Sequence, residues 1–154
     1  MRVLVDTNVW SLALRRRPEQ RSADDSRKVA AWEELVTEGR AILTGIVRQE
    51  VLSGVPDDRR FGELRDVLAN FPDEPLDSSD HVRAAKMYNQ CRTRGVQCTS
   101  IDILLCALAE RLAVPIFTTD DDFEKYARYV PVELFLGARL TARARRAVIA
   151  QPPP

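Results

Sequence analysis

Three consecutive branched apolar residues, Val3-Leu4-Val5, run straight into Asp6-Thr7-Asn8. A stretch that is hydrophobic at every position, not at alternate ones, has no face to give to solvent, so it reads as a short strand buried within a parallel sheet. Asp6 then stands at the carboxyl end of that strand. In open α/β sheets the crevice beyond the carboxyl ends of the strands is where ligands bind, which puts this acid where chemistry is done.

The rest of the chain supplies the neighbours such a strand needs. Val9, Leu12 and Ala13 recur at helical spacing until Arg15-Arg16-Arg17-Pro18 interrupts. A second helix is predicted from Ala23 to Glu38, with Val29, Trp32, Leu35 and Val36 on one face and Gly39 as its stop. Ala41-Ile42-Leu43-Thr44 is a second apolar strand, and Gly45 to Leu52 returns to helical period before Gly54 and Pro56. Phe61, Leu64, Leu68 and Phe71 space a further helix, closed by Pro72 and Pro75. The next, Ser79 to Arg94, turns Ala84, Ala85, Tyr88 and Cys91 inward and stops at Gly95. Ile101, Leu104, Leu105, Leu108 and Leu112 mark the clearest helix of all. Pro115 to Thr118 forms a third strand, Asp121 to Arg128 a short helix and Val132 to Phe135 a fourth strand. Strands separated by helices imply right-handed crossovers and an α/β fold: a mainly parallel sheet of four or five strands between two helical layers.

With 154 residues the chain fits a single domain, and a domain of that size buries roughly 68 to 70% of its unfolded surface. No disulfide or structural metal is required. No apolar run reaches the ~18 residues of a membrane span. The first residues enter a strand without the basic, apolar and small-residue segments of a secretory signal, so the expected location is the cytoplasm. Cys91, Cys98 and Cys106 are an odd number at separations unlike zinc ligands, and read as reduced, buried thiols. His81 is the only histidine and no GxSxG motif accompanies it, which leaves histidine-assisted nucleophilic catalysis without its parts. Basic and acidic residues both number 23, so any surface for nucleic acid has to be a local patch. Arg15, Arg16 and Arg17 are one such patch or a solvated helix end. The segment 137–154 is distinct from the domain at 1–136. It holds Arg139, Arg143, Arg145 and Arg146 with no acid and ends in three prolines. It reads either as an amphipathic helix with a basic stripe or as a solvated tail.

Four acids stand out. Glu50 falls on the apolar side of its helix, four residues from Ile46 and three from Val47, and an inward carboxylate is costly unless something compensates it. An arginine would do so. Asp102 closes Thr99-Ser100-Ile101-Asp102, a capping-box spacing with Asp in place of the preferred Glu or Gln. Thr118-Thr119-Asp120-Asp121-Asp122-Phe123 follows the third strand, where one acid suffices to cap the next helix. Asp6 and Asp120 both follow apolar strands at their carboxyl ends, and Glu50 and Asp102 lie in early turns of helices able to flank the same crevice. Two carboxylates about 5 Å apart repel by roughly 3 kcal/mol at an effective dielectric near 20. Four together consume much of a folding margin of about 5 to 15 kcal/mol. A divalent cation removes that conflict, and all-oxygen ligation suits Mg²⁺ or Mn²⁺ better than zinc.

The motifs at Asp6-Thr7-Asn8, Glu50, Ser100-Ile101-Asp102 and Thr118 to Phe123, in this order and spacing, resemble those of PIN-domain ribonucleases. Among these they are most similar to the VapC-type toxins of prokaryotic toxin-antitoxin pairs. The likeness covers Met1 to Leu136, and the arginine-rich tail has no counterpart in it. The resemblance implies that Asp6, Glu50, Asp102 and Asp120 form a metal-binding quartet, with Asp122 as an outer participant. The Thr-x-Asp-x-Asp-Phe pattern leaves Asp121 as a cap or surface acid, and Asn8 and Thr118 hold either metal-bound waters or local backbone groups. It further implies a Mg²⁺-dependent endoribonuclease acting on RNA phosphodiesters, a small antitoxin partner and a homodimer, to whose interface Trp10 and Trp32 contribute unless they are core. Two rival readings accompany it. A haloacid-dehalogenase-like phosphatase uses a strand-end acid followed two residues later by another, but position 8 is Asn. The other is a metal-stabilised interaction module without turnover.

Overall fold

The computed structural model describes residues 1–137; the basic helix expected in segment 137–154 therefore lies outside the described residues beyond Gly137. The chain runs β1 (Val3–Val5), α1 (Thr7–Leu14), a 3-10 turn (Pro18–Gln20), α2 (Ala23–Thr37), β2 (Ala41–Thr44), α3 (Gly45–Ser53) and α4 (Asp58–Leu68). It continues through β3 (Asp73–Glu74), α5 (Ser78–Thr93), α6 (Ser100–Leu112), β4 (Ile116–Phe117) and α7 (Asp122–Tyr126). The strands form one parallel sheet in the order β3-β2-β1-β4, flanked by helices. Leu4 lies between Ile42 on one side and Ile116 on the other. All three residues of β1 are fully buried, as a run without polar alternation requires.

Two strand expectations need correction. β3 is an additional strand that the apolar pattern does not reveal, because Asp73 and Glu74 are polar; they pair with Leu43 and Thr44 through backbone alone. Arg48 of α3 secures this edge by reaching the Leu68 and Phe71 carbonyls at 2.8 and 2.6 Å and the Asp73 carboxylate at 2.8 Å. Conversely, the expected strand Val132–Phe135 contributes only a single bridge, Leu134 beside Ile116. Ile116 N–H donates to the Glu133 carbonyl and Phe135 N–H to the Ile116 carbonyl.

The helices begin where their caps dictate. Ser22 with Asp25, and Asp77 with Asp80, close reciprocal capping boxes on α2 and α5. Asp80 is also buried and receives two hydrogen bonds from Arg111 of α6, at 2.7 and 2.9 Å, so that one side chain starts α5 and clamps it to α6. On α5 the inward face is Ala84, Met87 and Cys91, with Tyr88 half-buried and Ala85 exposed, one position off the expected stripe. Trp10 is fully buried and Trp32 is 8% exposed. Trp10 meets Trp32 and Phe71 edge to face at 5.3 and 4.9 Å, and its indole N–H donates to the Val5 carbonyl. Both tryptophans therefore serve the core, not an interface. The three cysteines are free thiols, Cys91 and Cys106 buried and Cys98 partly so. Among the described residues no helix is long and apolar enough to cross a membrane.

Candidate active site

Asp6 directly follows β1 and is 5% exposed. Its side chain caps α1 by accepting from Thr7 N–H at 2.7 Å, and its second oxygen accepts from the Thr118 hydroxyl at 2.8 Å, just beyond β4. Because β1 and β4 are parallel neighbours, their carboxyl ends deliver these two groups to the same edge. Thr118 Oγ1 in turn accepts from Asp120 N–H at 3.0 Å, fixing the turn that carries Asp120. Asn8 completes the corner: its carbonyl accepts from Thr119 N–H at 3.1 Å and its amide reaches Thr118 Oγ1 at 3.3 Å. Asn8 and Thr118 thus satisfy local groups, one of the two roles the sequence leaves open.

Among the described residues Glu50 pairs with no arginine. Its carboxylate accepts from the Thr7 hydroxyl at 2.5 Å, which ties α3 to the first turn of α1. Asp102 sits in the first turn of α6, where its N–H is capped by Thr99 Oγ1 at 3.1 Å, but its carboxylate does not return the bond to Thr99. Only half of the capping box forms, and the Asp102 carboxylate instead accepts from the Tyr126 hydroxyl at 3.2 Å. In the acidic run, Asp120 accepts from Asp122 N–H at 2.9 Å and so does the capping expected of Asp121, whose side chain makes no cap. Asp122 pairs with Lys125.

The charges respond to one another. Burial is the main reason that the Asp6 carboxyl is pushed up from 3.8 to about 6, and Asp102 and Glu50 add to it by repulsion, against the hydrogen bonds from Thr118 and Thr7. Asp102 is raised as well, by burial first and then by Asp120 and Glu50, against the bonds from Thr99 and Tyr126. Asp6, Glu50, Asp102 and Asp120 therefore share one electrostatic neighbourhood although 44, 52 and 18 positions separate them along the chain. Their donor chemistry, carboxylate oxygens alone, fits a hard divalent cation, and an acid held above its usual range by burial and like charge is what such a cation relieves. Among the described residues no three His, Cys, Asp or Glu side chains stand close enough to hold a metal ion as they are. The acids influence one another's charge without forming a ready-made ligand cluster.

Two contributors carry no signal of their own in the sequence. Thr7 links Asp6's helix to Glu50, and Tyr126, 1% exposed, holds Asp102. Thr7 is visible only as part of the first motif, and Tyr126 looks like one more core aromatic beside Phe123.

Comparison with known proteins follows the same outline. The chain superimposes on a protein of the crystal structure of FitAcB from Neisseria gonorrhoeae with a TM-score of 0.70 at 23% identity, covering 90% of this chain and 99% of that one. VapBC2 from Rickettsia felis, solved bound to a DNA fragment from its promoter, gives 0.69 at 14% identity, with 88% and 98% covered. VapBC-1 from nontypeable Haemophilus influenzae gives 0.61 at 14%, with 84% and 96% covered. No curated protein matches the sequence. At these identities the structural matches speak for the fold. The PIN domain profile, however, matches residues 3–129, most of the sequence and every acid described above, and the chain therefore belongs to the PIN domain family.

Proposed function

We propose that this protein is a metal-dependent endoribonuclease that hydrolyses RNA phosphodiester bonds with Mg²⁺, or Mn²⁺, held by Asp6, Glu50, Asp102 and Asp120. What supports this reading is a buried Asp6 raised by repulsion from Asp102 and Glu50, tied through Thr7 to Glu50 and through Thr118 to the turn that carries Asp120, with Asp102 in turn raised by Asp120 and Glu50. When bound, such a cation supplies a water of lowered pKa and charge stabilisation for the phosphate. The chain's own residues supply position. Thr118 and Thr7 N–H orient Asp6, Thr7 Oγ1 orients Glu50, Tyr126 orients Asp102, and the Asp122 N–H orients Asp120. Asp122 takes part from outside while paired with Lys125.

The toxin role, with a small antitoxin partner and a dimeric state, is part of the same proposal. It draws on the motifs and on structural neighbours that carry the VapBC name. The non-catalytic reading keeps one observation in its favour, the absence of a ready-made ligand cluster among the described residues. Purified protein separates the two. Cleavage of RNA that stops with EDTA and falls by at least about a hundredfold in Asp6→Asn and Asp102→Asn supports the nuclease. Mg²⁺ binding with no cleavage of diverse RNAs supports the module. Growth arrest on expression, relieved by a co-expressed small partner, tests the toxin role separately.

A further inference from the structure

Between α1 and the turn after β4 the surface opens into a cavity of about 430 Å³. One wall is a single face of α1, because Asn8, Ser11, Leu12 and Arg15 recur at helical spacing. Gln20 of the 3-10 turn and Thr119, beyond β4, stand across from it. Asn8 and Thr119 bond each other there, and both are chain neighbours of the proposed site, Asn8 two residues after Asp6 and Thr119 one before Asp120.

Its lining combines one apolar side chain, several polar ones, two arginines and one carboxylate, Asp25. Leu12 gives an apolar floor, while the Ser11 hydroxyl, the Gln20 amide and the Thr119 hydroxyl make no hydrogen bond among the described residues. Arg15 stands at the far end of α1, about 10 Å from Asn8 by helix rise. It spends one N–H on the Gly54 carbonyl, 2.7 Å away. Arg16 also borders the cavity, with Asp25 partly offsetting its charge. Apolar surface, unpaired donors and acceptors, and cations beyond them match a base, its edge and a phosphate in turn. The chain's own arginine-rich segment after Gly137 is a poorer occupant, since it has the same sign of charge as Arg15, Arg16 and Arg17.

We propose that this cavity binds one nucleotide of single-stranded RNA next to the bond that is cut, with Ser11 and Gln20 reading the base and Arg15 holding the phosphate. The inference rests on the nuclease reading for its substrate class. It is tested by binding in the Asp102→Asn protein, using labelled RNA hexamers that vary one position at a time and fluorescence anisotropy. The expected parent discriminates among bases at one position by about tenfold, and Ser11→Ala and Gln20→Ala each erase most of that preference. Arg15→Ala weakens all hexamers alike by about tenfold, whereas Arg59→Ala, which removes the same charge outside the cavity, does not. The proposal is overturned if discrimination survives both Ser11→Ala and Gln20→Ala, if Arg15→Ala and Arg59→Ala behave alike, or if the hexamers do not bind. Unchanged RNA binding in the cavity variants would assign the cavity to some other occupant, such as a protein segment. Cleavage by the unmodified protein distinguishes the two proposals: RNA that is cut with cavity-independent preference sinks this inference alone. RNA that binds through the cavity with the expected base preference but is never cut sinks the nuclease reading and the placement beside a cut bond, and leaves the base-reading roles of Ser11 and Gln20 standing.

Discussion

Asp6 carries opposite obligations at the scale of one residue, since it caps a helix as an anion yet is almost fully buried among other acids. A carboxyl raised from 3.8 to about 6 binds its proton more tightly folded than unfolded. Its favourable contribution is therefore complete below the unfolded value and is lost as pH rises through about 6, a penalty of up to ~3 kcal/mol by neutral pH without metal. Asn accepts the same Thr7 bond without the charge. Asp6→Asn is thus expected to unfold at higher temperature than the parent in EDTA at pH 7 and to match it near pH 4; equal or lower stability at pH 7 would contradict the argument. Tyr126 gives a complementary prediction. Tyr126→Phe removes one oxygen without opening a cavity, and is expected to raise the Mg²⁺ concentration for half-maximal cleavage roughly three- to tenfold while leaving the saturated rate nearly intact. A titration of rate against Mg²⁺ reads both numbers. Asp6, Glu50 and the acids at 120–122 are legible in the sequence because they violate a local pattern: an acid ends an apolar run, interrupts an apolar helix face or exceeds what a cap needs, whereas Asp102 fits a capping-box spacing and stands out only in combination with the others. Thr7 and Tyr126 violate nothing locally, and their importance lies in partners 43 and 24 residues away.

Elements differ in how much of their cause is local. α6 is evident because its apolar stripe runs the length of the helix, and the β1 strand because nothing in it is polar. β3 is hidden because its stability comes from outside: the ladder to β2 and the Arg48 bridge hold two residues with no apolar signature. The segment Val132–Phe135 is the opposite case, with suitable residues but only one bridge at the edge of β4. Arg111 shows the same dependence on distant partners. It binds the Asp80 carboxylate, whose side chain is 1% exposed, and the Pro75 carbonyl, thereby joining the start of α5 to the end of α6. Arg111→Ala strands a buried charge and is expected to cost about 3 kcal/mol, measured as a lowered urea midpoint at neutral pH. The double variant Arg111→Leu with Asp80→Asn should recover much of that loss, because it removes the stranded charge as well as the bridge. Recovery would trace the damage to the uncompensated carboxylate and not to lost packing.

For the molecule as a whole, the sheet order places β1 in the interior with β2 and β4 as neighbours, so the α1, α3 and α7 ends meet at one edge. The fold concentrates like charge there, and folding and cation binding become one equilibrium if a cation occupies that edge. A ligand that binds only the folded state adds about 2.7 kcal/mol at a hundred times its dissociation constant. For a domain near this size that corresponds to a rise in Tm of roughly 5 to 10 °C. Mn²⁺ is therefore expected to raise the Tm of the parent by that amount in a saturable way at pH 7, and to raise it much less at pH 5, where the proton competes for Asp6. Asp6→Asn and Asp102→Asn should each abolish most of the shift, although the first starts from a more stable metal-free protein. That crossing of effects separates a specific site from general screening, because added salt would stabilise the parent and weaken the advantage of Asp6→Asn together without saturating at low metal. A parent whose Tm ignores Mn²⁺ would show that the four acids gather without holding a cation, and the hydrolytic chemistry assigned to them would have to be withdrawn.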